Sequence, residues 1–119
     1  MKIGICASHH TPESLVSGRF ARSEYFSVYD SKTLQFSFFD NTAKDEGSGA
    51  GGKAAQVLGD LDVEIVLVPE LGPKAIEALK AFEIKSYQYK QNITVREAIY
   101  EYFEKKLPEL NKSSVKGKH

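Results

Sequence analysis

Gly47-Ser48-Gly49-Ala50-Gly51-Gly52-Lys53-Ala54-Ala55 is the stretch that decides which α/β fold this chain adopts. It holds four of the nine glycines, follows the polar loop Asn41 to Glu46, and runs into an apolar-periodic segment. Glycines there let the backbone turn sharply and let a ligand come close. The helix N-terminus behind them offers unpaired N–H groups and the positive end of a dipole, which suits an anion. Two sharper motifs share these letters, and neither holds. Gly47, Gly49 and Gly52 spell G-x-G-x-x-G, with Glu70 about twenty residues on, but a dinucleotide fingerprint needs its first glycine directly after the first strand. Gly47-x4-Gly52-Lys53-Ala54 is one residue short of a P-loop, with Ala54 where a magnesium-binding Ser or Thr is needed. Ile65-Val66-Leu67-Val68 also ends in Pro69-Glu70 without a metal-binding Asp. The dinucleotide fingerprint and the NTPase reading are therefore set aside.

Working outward, Lys2 to Ala7 reads as a buried first strand, short and continuously apolar. Ser8 to Ser23 is a long polar connection without a clean period, a length usually functional or mobile. Glu24 to Asp30 and Leu34 to Asp40 are aromatic, alternating strands, joined as a hairpin by Ser31-Lys32-Thr33. A helix is predicted from about Ala50 to Asp60, with Ala54, Ala55, Val57, Leu58 and Leu61 inward. Ile65 to Val68 is a buried strand, and Gly72-Pro73 opens a second helix with proline at its first position. That helix turns Ala75, Ile76 and Leu79 inward. Ile84 to Tyr89 forms a last strand, and Thr94-Val95-Arg96-Glu97 is a capping box for a third helix carrying Ala98, Ile99, Tyr102 and Phe103 inward. The order β-loop-β-β-α-β-α-β-α is that of a three-layer α/β domain. With strand two antiparallel between strands one and three, the loops 8–23, 41–52, 70–72 and 89–93 gather at one edge. Ligands of open α/β sheets bind there, and three helix N-termini point at it.

The 119 residues suit one domain with a modest core, predicted over 1–107, with 108–119 a basic, disordered tail. The single cysteine excludes a disulfide framework or a four-thiolate metal site in one chain and suits a reducing, cytoplasmic setting. No apolar run approaches the ~20 residues of a membrane span, and Met1-Lys2 leads into a strand instead of a signal peptide. Formal net charge is zero, yet residues 105–119 carry five lysines against Glu109, so the preceding residues are acidic in balance by four. An acidic body argues against nucleic acid as the partner.

Cys6, His9 and His10 fall at or just past the end of the first strand, where a thiolate and imidazoles can ligate a soft metal. Cys6 reads more simply as a small buried hydrophobe, and adjacent histidines do not easily face one ion. Arg19 and Arg22 flank Phe20 in the long loop, spaced to clamp a carboxylate, phosphate or anionic cluster with Phe20 as an anchor. Pairing with the acidic body at the surface is the plainer alternative. Hydrolytic parts are missing: Ser8, Ser17 and Ser48 have no nucleophile elbow, and Asp30, Asp40, Asp60 and Asp62 fall at strand and helix ends where turn and cap roles account for them.

Taken together, the Met1-Lys2-Ile3 start, the segment Val16-Ser17-Gly18-Arg19-Phe20-Ala21-Arg22-Ser23-Glu24-Tyr25-Phe26, the stretch Gly47 to Gly51 before Ala54-Ala55, and Glu70-Leu71-Gly72-Pro73-Lys74-Ala75 resemble the dinitrogenase iron–molybdenum cofactor biosynthesis family. This is the NifX-like domain, also found at the C-terminus of NifB-type proteins, and the likeness covers residues 1 to about 107. It implies a ribonuclease H-like architecture, with a mixed five-strand sheet in order 3-2-1-4-5 between helices, in agreement with the layout above. It also implies a carrier that binds an iron–sulfur or iron–molybdenum cofactor precursor and passes it between donor and acceptor proteins. Arg19, Phe20, Arg22 and the loop residues Gly47, Ser48, Gly49, Gly51, Gly52 and Gly72 are the expected binding positions. Two departures bear on ligation. Arg19-Phe20-Ala21-Arg22 stands where the family commonly reads His-Phe-Gly-Arg, and Ser48 stands where a histidine is frequent. Cys6, His9 and His10 are then the only substitutes for direct metal ligands.

The expectation is a cytoplasmic binding protein for an anionic cofactor, not an enzyme, with neither nucleic acid nor membrane as a partner. One rival reading is a module for a phosphorylated metabolite or nucleotide at the same edge. Another is an interaction domain using the hairpin aromatics Tyr25, Tyr29, Phe36, Phe38 and Phe39.

Overall fold

A computed structural model describes residues 1–111. The first strand becomes the centre of the sheet because its alternate residues are apolar on both faces. β1 (Lys2–Ala7) is buried from Ile3 onward. It pairs antiparallel with β2 (Tyr25–Asp30), matching Ile3 to Tyr29, and parallel with β4 (Ile65–Val68), matching Ile3 to Ile65. β3 (Gln35–Asp40) closes one side antiparallel to β2, and β5 (Lys85–Gln88) lies parallel to β4 on the other. A sixth strand, β6 (Glu109–Leu110), pairs antiparallel with β5.

The sheet order is thus β3-β2-β1-β4-β5-β6. The expected five-strand order is observed, and the strand count is corrected to six. The ordered unit also runs past the expected end at residue 107, because Leu107 is buried and β6 follows it. Of the expected tail, residues 112–119 lie outside the described residues.

Helices α1 (Ala50–Asp60) and α2 (Pro73–Ala81) pack side by side on one face, and α3 (Val95–Phe103) crosses the other. Side-chain alternation assigns the faces. Gly4 lies under α1, where an added Cβ would come within 3.1 Å of Leu58 and 3.3 Å of Val63, so its bareness lets the helix settle on the sheet. On the opposite face Tyr29 meets Phe103 of α3 and Tyr87 meets Tyr102. Each helix ends in a residue of left-handed conformation just past its C-cap: Asp62, Glu83 and Lys105. One apolar cluster runs through both layers from Ile3, Phe26 and Leu58 to Leu79 and Ile99. Phe103, expected inward, is instead 47% exposed, because a nine-residue helix cannot cover a six-strand sheet.

Candidate functional site: an edge with two open helix ends

The connection 8–23 is stitched down. Backbone bonds run from the Ser8 amide to the Leu15 carbonyl and from the Ser17 amide to the Cys6 carbonyl. Val16 and Leu15 form single bridges to Ala7 and Thr94. Phe20 is 5% exposed and its ring packs 5.9 Å from that of Phe26. It therefore anchors the loop in the core, and its expected place against a ligand is corrected. Arg19 and Arg22, on either side, remain exposed. They line one open depression of about 380 Å³ together with Ser8, Ser17, Gly18 and Glu24.

Asn41 joins this loop to the glycine stretch. It is fully buried, its Nδ2 donates to the carbonyls of Ala21 and Ser23, and its Oδ1 accepts from the Ala43 amide at 3.0 Å. That last bond caps a 3-10 turn over Thr42–Asp45. Arg22 donates from a guanidinium nitrogen to the Lys44 carbonyl at 2.5 Å, and the Lys44 ammonium sits 3.2 Å from Glu24 and 3.3 Å from Asp40. The two loops are tied together, although the glycines do not line the arginine depression.

The glycine stretch leads into α1 through Gly49, whose φ of 73° is left-handed and favours glycine. Neither Gly49 nor Gly72, the N-cap of α2, supplies a side-chain cap. Among the described residues the amides of Ala50, Gly51, Gly52, Lys74 and Ala75 have no hydrogen-bond acceptor. The two ends lie together, since an added Cβ on Gly51 would stand 3.4 Å from Ala75. Gly51 thus serves close helix approach as well as offering its amide. Gly47, Gly49, Gly52 and Gly72 face open space, and Ser48 is exposed. Helix N-termini with free N–H groups favour negative charge nearby. The third N-terminus, that of α3, is closed by the capping box of Thr94 and Glu97.

Direct metal ligation lacks its parts. Cys6 is fully buried, and burial pushes its thiol far above the ordinary range, the neighbouring Tyr89 hydroxyl lowering it only in part. The thiolate that a metal needs is therefore disfavoured. His9 and His10 are exposed, and His10 leans on Tyr25 with ring centroids 5.5 Å apart. Among the described residues no group of three His, Cys, Asp or Glu side chains converges to hold a metal ion, so Cys6, His9 and His10 do not make the expected substitute site. Sequence reasoning missed Asn41, which it read only as loop; an asparagine beginning a short Thr-Ala-Lys-Asp turn is the signal that points to a cap.

Fold and edge together define a single-sheet α/β protein with two adjacent helix N-termini that lack side-chain caps. The chain belongs to the family described as dinitrogenase iron–molybdenum cofactor, whose profile matches residues 1–105. It is similar to the high-resolution structure of the apo form of the orange protein from Desulfovibrio gigas, at 32% identity and TM-score 0.92 over 96% of each chain. It is also similar to the NMR structure of a protein from Thermotoga described as a candidate NifB protein, at 34% identity and TM-score 0.85 over 98% of each chain. No curated protein matches. No helix among the described residues is long and apolar enough to cross a membrane.

Proposed function

We propose that the chain is a carrier for an anionic metal–sulfur cofactor or its precursor, received at the edge formed by α1, α2 and the arginine loop. The observation that carries this reading is the pair of adjacent, uncapped helix N-termini at Gly49 and Gly72. Five amides there without an acceptor among the described residues, with Arg19 and Arg22 on the loop tied to them, suit a multiply charged anion held by hydrogen bonds and charge. The donor set does not suit ligation through thiolate or imidazole. A cargo held without covalent ligands can be handed on without breaking metal–ligand bonds, which fits a carrier better than an enzyme. Donor and acceptor proteins for such a cargo are its natural partners, in a cytoplasmic setting.

The test is anaerobic reconstitution of the full chain with iron and sulfide, followed by absorbance and bound iron after desalting. Wild type is expected to retain iron with charge-transfer absorbance. Retention falls in Arg19→Ala/Arg22→Ala and is unchanged in Cys6→Ala. A colourless wild-type protein overturns the cluster reading. The same amides also fit a phosphate group, so thermal stabilisation by inorganic phosphate without iron retention would move the assignment to a phosphorylated metabolite.

A further inference from the structure

The sheet has two unlike edges. β6 is two residues long, a length that blunts an edge. β3 is a full six residues, Gln35–Asp40, with neither lysine nor proline and one charge, Asp40, at its end. Exposed strand edges without such protection pair with other strands. The Asn41 amide bonds the Glu24 carbonyl, so by antiparallel alternation Gln35, Ser37 and Phe39 turn their backbone groups toward β2. Phe36, Phe38 and Asp40 turn theirs outward. The surroundings on the α3 face are largely apolar, with Leu34, Phe36, Ile99, Tyr100 and Phe103 lining one depression. Among the described residues, four of the six exposed large hydrophobics lie on β3, its turn or the adjoining end of α3: Leu34 at 68%, Tyr100 at 65%, Phe103 at 47% and Phe39 at 37%.

We infer that β3 pairs with β3 of a second copy, antiparallel about a two-fold axis at Ser37, to make one continuous sheet. This register places Phe36 opposite Phe38 of the other copy, both through outward backbone groups, and the same pair repeats by symmetry. Aromatic cross-strand pairs of this kind stabilise a sheet. Ser37 meets Ser37 at the axis, where small side chains fit. Charge selects the direction. Antiparallel pairing sends the two Asp40 carboxylates to opposite ends of the seam, each beside Leu34 of the other copy, whereas parallel pairing would set Asp40 against Asp40. The inference is independent of the cofactor reading, since β3 contributes nothing to the open helix ends.

Sedimentation equilibrium of the full chain over a concentration series tests it. The mass of wild type is expected to rise from 13.2 kDa toward twice that value with concentration. Ser37→Lys and Ser37→Glu, at an exposed position, each place like charges together at the axis and lose the dimer while melting as wild type does. Mixing the two variants restores the doubled mass. Amide exchange gives a second readout that needs no variant: protection at Phe36, Phe38 and Asp40 rises with concentration, while that of Ser37 does not. A wild type at 13.2 kDa throughout overturns the proposal and leaves the edge to a strand of another protein. So does a dimer that survives both variants, a mixture that stays monomeric, or exchange at β3 that ignores concentration.

Discussion

Three helices begin near the same edge of the sheet, and they begin in opposite ways. α3 is closed. The Val95 and Arg96 amides donate to the carbonyls of Ser14 and Pro12, the Glu97 amide donates to Thr94 Oγ1, and Glu97 Oε1 accepts from the Thr94 amide at 2.8 Å. α1 and α2 begin with glycine, and among the described residues five of their amides find no acceptor. A full cap at one helix and no cap from the described residues at two neighbours is the contrast on which the proposed anion site rests. On the proposed reading the difference separates residues that hold the edge together from residues that would receive a ligand, and substitutions on the two sides should part accordingly.

Asn41→Ala should do the most damage. It removes three hydrogen bonds from a fully buried side chain and leaves the Ala21 and Ser23 carbonyls without their donor. A loss of about 3 kcal/mol is expected, read as an earlier midpoint in urea. Asn41→Asp keeps the shape but turns an acceptor toward two carbonyls, so it should not rescue. A wild-type midpoint in either variant would mean that the two loops are not joined through this residue.

Gly49→Ala comes next. A φ of 73° is costly for any residue with a Cβ, so a loss of about 1–2 kcal/mol is expected. Because the same residue sets the approach to α1, iron retention after reconstitution should fall with it. Thr94→Ala, on the closed side, should lose about 1 kcal/mol by opening the capping box and leave iron retention unchanged in the folded fraction. Equal retention losses in both variants would erase the distinction between the two sides.

How much of this was legible beforehand follows the range of the interaction. Pro73 and the Thr94 capping box are local signals, and the helices start where they say. The strands themselves followed from apolar runs, and their order 3-2-1-4-5 from the family resemblance. β6 was not legible, because Glu109 and Leu110 have no period and sit between Pro108 and a polar, lysine-bearing stretch; only β5 makes them a strand. Asn41 looked like any polar loop residue, since its burial arises from two loops meeting over it. Phe20 was read as facing a ligand because its neighbours are arginines, whereas an aromatic ring in a polar connection gains more by reaching the core beside Phe26. Arg19 and Arg22 were legible as a pair, but their distance from the glycine stretch is a tertiary property.

The smallest effect is the most discriminating. Gly72 has φ −80° and ψ 173°, the extended geometry of an ordinary N-cap, and a Cβ there meets nothing within 4 Å. Gly72→Ser can therefore accept from the Lys74 or Ala75 amide without strain, and should raise stability by a few tenths of a kcal/mol. If α2 is open merely by chance, that gain is the whole outcome. If its amides receive an anion, the new hydroxyl competes for them, so the variant should melt slightly later and bind less. Thermal melts with and without inorganic phosphate, beside iron retention, read both quantities on one sample. A variant that is more stable and binds as well as wild type would remove α2 from the site and leave α1 with the arginine loop to hold the ligand.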